Sequence, residues 1–157
     1  MSQFARPDSD ISAGSWATAP LYAKIDEVTY SDADYISVTS NANTCELGLS
    51  TVTDPVSSAS HIVRFRSRKA LQGTSVTVTL MDGATTIRSF AQALGNTSTA
   101  YSFTLTSGEA DNIGDYSDLR LKLTSAIGRV GSVFISWAEL EVPDAGSPPI
   151  SRRIFVV

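Results

Sequence analysis

The run SVTVTLMD, residues 75–82, sets Val76, Val78 and Leu80 alternately against Ser75, Thr77 and Thr79. A period of two, apolar against hydroxyl, is the pattern of a strand with one face in a core and the other in water. Asp82-Gly83 closes the run and predicts a hairpin into the less regular segment 85–94. The same period recurs on both sides of this hairpin. Leu119, Leu121 and Leu123 alternate with Arg120, Lys122 and Thr124. Cys45, Leu47 and Leu49 make a third run, Tyr101, Phe103 and Leu105 a fourth, and Val63 and Phe65, set among Arg64, Arg66 and Arg68, a fifth. Leu21, Ala23 and Ile25, then Ile36 and Val38, predict two more strands near the front. The stretch 130–142 is apolar on both faces at its start, which predicts a central or interface strand. Its faces read as Val133, Ile135 and Trp137 against Phe134, Ala138, Leu140 and Val142.

Composition agrees with periodicity. Ser and Thr supply 39 of 157 residues, whereas Lys and Glu, the usual surface residues of helices, number 3 and 5. A single helical turn is predicted where Thr106 and Glu109 have capping-box spacing, with Gly114 to end it. The expected architecture is an all-β antiparallel sandwich, a jelly roll of about nine strands, with one helical turn and extended N- and C-terminal arms. The length suits one domain. It divides into an N-terminal arm 1–20, a sandwich 21–142 and a C-terminal arm 143–157.

Several function classes are disfavoured. A net charge of -4 and a pI of about 4.8 argue against a partner held by phosphate neutralisation, so no nucleic acid is expected. No run approaches the roughly 20 apolar residues of a membrane span, and MSQFARPDSD lacks a signal-peptide core; the expectation is a cytosol-made chain that stays soluble, without a membrane partner. With one Cys there is no disulfide within the chain, and Cys45 reads as a small buried hydrophobe. His61, the single imidazole, is expected at an outward or edge position. No G-x-S-x-G is present, so no nucleophile–base pair assembles and no enzyme is expected.

Three groups remain as candidate sites. Asp32 and Asp34 read first as turn formers, ahead of a loop Ca²⁺ site on Asp26, Asp32 and Asp34 and of a glycosidase carboxylate pair, whose separation nothing fixes; no other cofactor is expected. The stripe of Arg64, Arg66, Arg68 and Lys69, with a smaller one of Arg120 and Lys122, reads as cross-strand partners for Glu46, Glu139 or Glu141, ahead of an acidic protein surface. Trp16, Tyr22, Tyr30 and Tyr35 read as packing residues, with a sugar-stacking platform as the alternative.

The ends differ from the middle. Residues 1–20 carry Phe4, Ile11 and Trp16 as isolated apolar anchors. Residues 143–157, PDAGSPPISRRIFVV, pass from a Pro/Gly/Ser linker through Ile150, Arg152 and Arg153 to Ile154, Phe155, Val156 and Val157. Burying those last four side chains would contribute about 1.5–3 kcal/mol each. The terminal segment therefore either folds back on its own sheet or docks on a neighbouring subunit by strand addition. In the second case these residues, with Phe4, Ile11 and Trp16, bind the partner.

RPDSDISAGSW at 6–16, LYAKIDE at 21–27, DADYI at 32–36, YSDLR at 116–120 and VFISWAELEVP at 133–143 together resemble a group of tailed-bacteriophage virion proteins. The resemblance implies a jelly-roll sandwich similar to carbohydrate-binding modules, and it carries no catalytic residues. It points to a virion structural protein on the capsid surface, assembled in the host cytoplasm. As a decoration or cement protein, a homo-oligomer (dimer or trimer) would bridge copies of the major capsid protein. The alternative is a glycan-binding module of a phage head or tail fibre.

Overall fold

A computed structural model describes residues 1–71 and 74–146. The protein is an antiparallel β-sandwich of jelly-roll type, built from two five-stranded sheets. In chain order the elements are β1 (Ser2–Ala5), β2 (Pro7–Ser12), a 3-10 turn (Tyr22–Lys24), β3 (Ile36–Val38), β4 (Thr44–Leu49), β5 (Ile62–Ala70), β6 (Ser75–Asp82), β7 (Thr85–Ala93), β8 (Thr99–Thr104), the helical turn α1 (Ser107–Ala110), β9 (Leu119–Ala126) and β10 (Ser132–Pro143). The first sheet runs β1-β10-β5-β8, with β3 also on β10; the second runs β2-β4-β9-β6-β7.

The alternating runs do what their period requires. Val76, Val78 and Leu80, and Leu119, Leu121 and Leu123, point into the space between the sheets with at most 1% of their surface exposed. Thr77, Thr79, Lys122 and Thr124 stand on the outer face of the second sheet, paired across β6 and β9. Asp82 and Thr85 close the β6–β7 hairpin, and Gly83 takes the positive φ of 54° that a glycine accepts without a Cβ clash. At α1 both halves of the capping box form. The Glu109 amide donates to Thr106 Oγ1 and the Thr106 amide to Glu109 Oε2.

The structure departs from the sequence reading in four places. First, residues 1–20 are not an arm. β1 pairs with the end of β10 and β2 with β4, so one N-terminal strand enters each sheet, and Trp16 is 4% exposed in the core. Second, Leu21, Ala23 and Ile25 lie on a 3-10 turn, not a strand. The Asp10 carboxylate accepts from the Leu21 and Tyr22 amides at 2.8 and 2.9 Å, and Leu21 and Ile25, four residues apart, both point inward. Third, the β10 faces switch at an irregularity between Ile135 and Trp137, leaving Val133, Ile135, Ala138, Leu140 and Val142 inside and Phe134, Trp137 and Glu139 on the other face. Fourth, His61 is fully buried. The C-terminal candidates Ile150, Arg152, Arg153, Ile154, Phe155, Val156 and Val157 lie outside the described residues.

Candidate binding groove and aromatic face

The loop between the 3-10 turn and β3, residues 25–35, crosses the outer face of the first sheet and is pinned there at several points. Trp137 Nε1 donates to the Glu27 carbonyl at 2.9 Å. Arg66 makes a two-pronged bond to Asp32, 2.7 Å on each oxygen, and Ser136 Oγ donates to the same carboxylate at 3.0 Å. That guanidinium holds the Asp32 carboxyl below its ordinary range, and Asp32 in turn holds Arg66 charged. Tyr30 lies over the Arg66 guanidinium at 4.3 Å and packs on Trp137 at 6.0 Å. Tyr35 meets Phe134 edge-on at 5.2 Å, and Arg68 stacks over Phe134 at 3.8 Å with Tyr35 at 5.9 Å. Tyr30 stays 46% exposed and Tyr35 36%.

Beside this face lies an open groove of about 360 Å³, lined by Ala17, Thr18, Lys24, Ala33, Asp34, Tyr35 and Ser37. Its wall is fixed where Ala17 and Ser37 exchange backbone hydrogen bonds of 2.8 and 2.6 Å. Lys24 Nζ sits 3.1 Å from Asp34 Oδ1, so the groove presents an ammonium and a carboxylate next to an aromatic ring and two hydroxyls. Glu27 adjoins it. Burial pushes its carboxyl above the ordinary range, and Oε2 finds no hydrogen-bond partner among the described residues. Aromatic surface with a few fixed donors and acceptors suits a polyhydroxylated ligand, whose ring packs on tyrosine while its hydroxyls bridge the charged pair.

The sequence candidates distribute unevenly around this site. Tyr30 and Tyr35 converge on it, while Trp16 is interior and Tyr22 packs against the core. Asp32 and Asp34 sit in a turn closed by the Asp34 amide, which donates to the Ser31 carbonyl at 3.2 Å, and their carboxylates pair with Arg66 and Lys24. Among the described residues no three His, Cys, Asp or Glu side chains gather to hold a metal. Of the basic stripe, Arg64 pairs with Glu139 and Glu141 as expected, Arg66 pairs with Asp32 instead, and Arg68 and Lys69 have no ion pair among the described residues; Arg120 pairs with Glu46 and Asp118. Phe4 and Ile11 are 40% and 49% exposed, but on different sheets: β1 belongs to the first and β2 to the second. The stacking of Arg68 and Phe134, and Lys24 as a groove residue, had no sequence signal beyond the alternation that turns Arg68 outward.

Two reactive groups lie elsewhere and are sealed. Cys45 is buried and its thiol is pushed up to about 12. His61 bonds the Ala59 carbonyl through Nδ1 at 3.1 Å and the Tyr116 hydroxyl through Nε2 at 2.7 Å, beneath a second cavity of about 190 Å³ that Tyr116 lines with Asp54, Ser57, Ser58 and Asp111.

No protein-family model matches the chain, and no curated protein matches it. Solved structures do. The C-terminal CBM6 of LamC, a marine laminarinase from Zobellia galactanivorans, superimposes with a TM-score of 0.50 over 89% of this chain and 98% of its own, at 15% identity. The CBM36-1 domain of a multidomain xylanase from the hindgut metagenome of Trinervitermes trinervoides gives 0.48 over 94% and 100%, at 10% identity. A point mutant of CBM29-2 complexed with mannohexaose gives 0.47 over 94% and 99%, at 11%. At such identities the likeness is one of fold, a carbohydrate-binding-module jelly roll.

Proposed function

We propose that the protein is a non-enzymatic glycan-binding module, and that its ligand lies in the groove beside Tyr35. One observation carries the reading: an exposed aromatic ring, an ammonium–carboxylate pair and two hydroxyls share one open groove whose walls are fixed by backbone hydrogen bonds. The fold is compatible with that role, since a sandwich of the same kind is the CBM6 of a laminarinase, though a fold decides no function by itself. Placement on a phage head or tail fibre, where such a module would hold host glycans, rests on the sequence resemblance.

The test is a glycan array followed by calorimetry on the full chain. Binding of at least one glycan class is expected, with Tyr35→Ala weakening it about tenfold or more, the loss of about 1.4 kcal/mol of ring contact. Silence across a broad array of neutral and acidic glycans, or affinity undiminished in Tyr35→Ala, would overturn the reading.

A second reading, attachment to the major capsid protein as an oligomeric decoration protein, draws support from Phe4 and Ile11, two apolar side chains left in water on opposite sheets. Co-sedimentation with capsids lacking the protein tests it. Saturable binding at a fixed ratio would favour it, and a free monomer that does not sediment would remove it.

A further inference from the structure

Among the described residues, Arg68 stands on the outer face of the first sheet outside any ion pair. Among the described residues Arg6, Arg64, Arg66, Arg88 and Arg120 each lie within ion-pair distance of a carboxylate. Arg68 and Arg129 do not, and Arg129 lies exposed in a loop. Arg68 differs from Arg129 in being held. It springs from β5, is half-buried, and lies over the Phe134 ring at 3.8 Å with Tyr35 at 5.9 Å. Stacking occupies the face of a guanidinium and leaves its edge, with five N–H donors, free to bond. No described residue accepts from that edge.

Of the nearby acids, Asp32 is paired with Arg66 and Asp34 with Lys24, and burial holds the Glu27 carboxyl above its ordinary range. Tyr35 joins the two features: it lines the groove and flanks Arg68. We infer that the ligand carries a carboxylate, as a uronic-acid-containing saccharide whose sugar ring packs on Tyr35 and whose carboxylate accepts a two-pronged bond from Arg68. This rests on the glycan-binding reading above. A planar carboxylate accepts two parallel bonds from the guanidinium fork.

The experiment is calorimetry of the full chain with three probes: an oligogalacturonate, a neutral laminari-oligosaccharide and a sulfated galactan oligosaccharide. The uronate is expected to bind at least tenfold more tightly than the neutral sugar, with affinity falling as salt rises. Arg68→Gln is expected to erase that preference. Thermal melts establish that the variant folds; should it not, Arg68→Lys keeps the charge but loses the planar fork, and is expected to reduce the preference at least threefold. Equal affinity for uronate and neutral sugar, or a preference that survives in the folded Arg68 variant, overturns the inference and leaves the glycan reading standing. Tighter binding of the sulfated galactan overturns the carboxylate assignment. No binding of any probe, together with a silent glycan array, overturns both.

Discussion

His61 illustrates how one buried contact sets a chemical state. The Ala59 carbonyl can only accept, so Nδ1 carries the proton and Nε2 accepts from the Tyr116 hydroxyl. The ring is therefore held neutral, and burial lowers its pKa below the ordinary value near 6.5. The unfolded chain then binds a proton that the folded chain refuses, so stability from this group is complete above about pH 6.5 and is lost as pH falls through the folded pKa. Denaturant melts between pH 7.5 and 5 should show the wild type losing stability faster than His61→Gln, which has no such proton to bind. Parallel curves would mean that folding leaves the proton affinity of the imidazole unchanged. Tyr116→Phe removes the donor and leaves Nε2 buried without one, at an expected cost of about 1–3 kcal/mol. The alternation itself held the signal for this burial, because 61 shares the parity of Val63 and Phe65. That inward parity lies just before β5, where Ser60 takes a positive φ of 59° and begins the turn into the strand.

At the level of elements, the loop over the first sheet is the part that sequence periodicity could not place. Strands announce themselves through a local period, and β4, β5, β6 and β9 were legible for that reason. The Asp32–Arg66 and Trp137–Glu27 contacts join residues 34 and 110 positions apart, and no local pattern encodes such pairing. The aromatic face is a product of those tethers: Tyr30 and Tyr35 became site residues because the loop folds back across Arg66 and Arg68. Asp32→Ala should therefore act locally. Hydrogen exchange over residues 26–35 should quicken markedly while global stability falls by no more than about 1 kcal/mol, the size expected of a solvent-accessible ion pair. Unchanged exchange would show that Trp137 and the groove wall suffice to hold the loop. The hairpin offers the opposite case, an element whose sequence signal was sufficient. Gly83 takes a positive φ there, so Gly83→Val should cost at least about 1–2 kcal/mol in a thermal or denaturant melt.

For the whole molecule, the N-terminal segment decides what counts as the domain. Its composition reads as an arm because β1 and β2 are short and polar, with single apolar residues too far apart to show a period. In the fold they are sheet strands. β1 and β3 lie end to end along the same edge of β10, β1 on residues 140–143 and β3 on 133–135, while β2 closes the free edge of β4. Between them Arg6 reaches the buried Glu139 at 2.8 Å, on a carboxylate only 6% exposed. Burial there pushes the Glu139 carboxyl up against the pull of Arg6 and Arg64, so removing Arg6 leaves a poorly solvated charge with one remaining cation. Asp10, which holds the 3-10 turn at the base of the groove, comes from the same segment. Deleting residues 1–12 should accordingly cost at least about 3–5 kcal/mol, the scale of breaking one buried ion pair, and bare the edges of both sheets. The expected result is loss of a cooperative melt together with loss of any binding at the groove. If the shortened chain melts like the intact one, β1 and β2 are dispensable attachments to a sandwich that begins at residue 21, and the groove stands without Asp10.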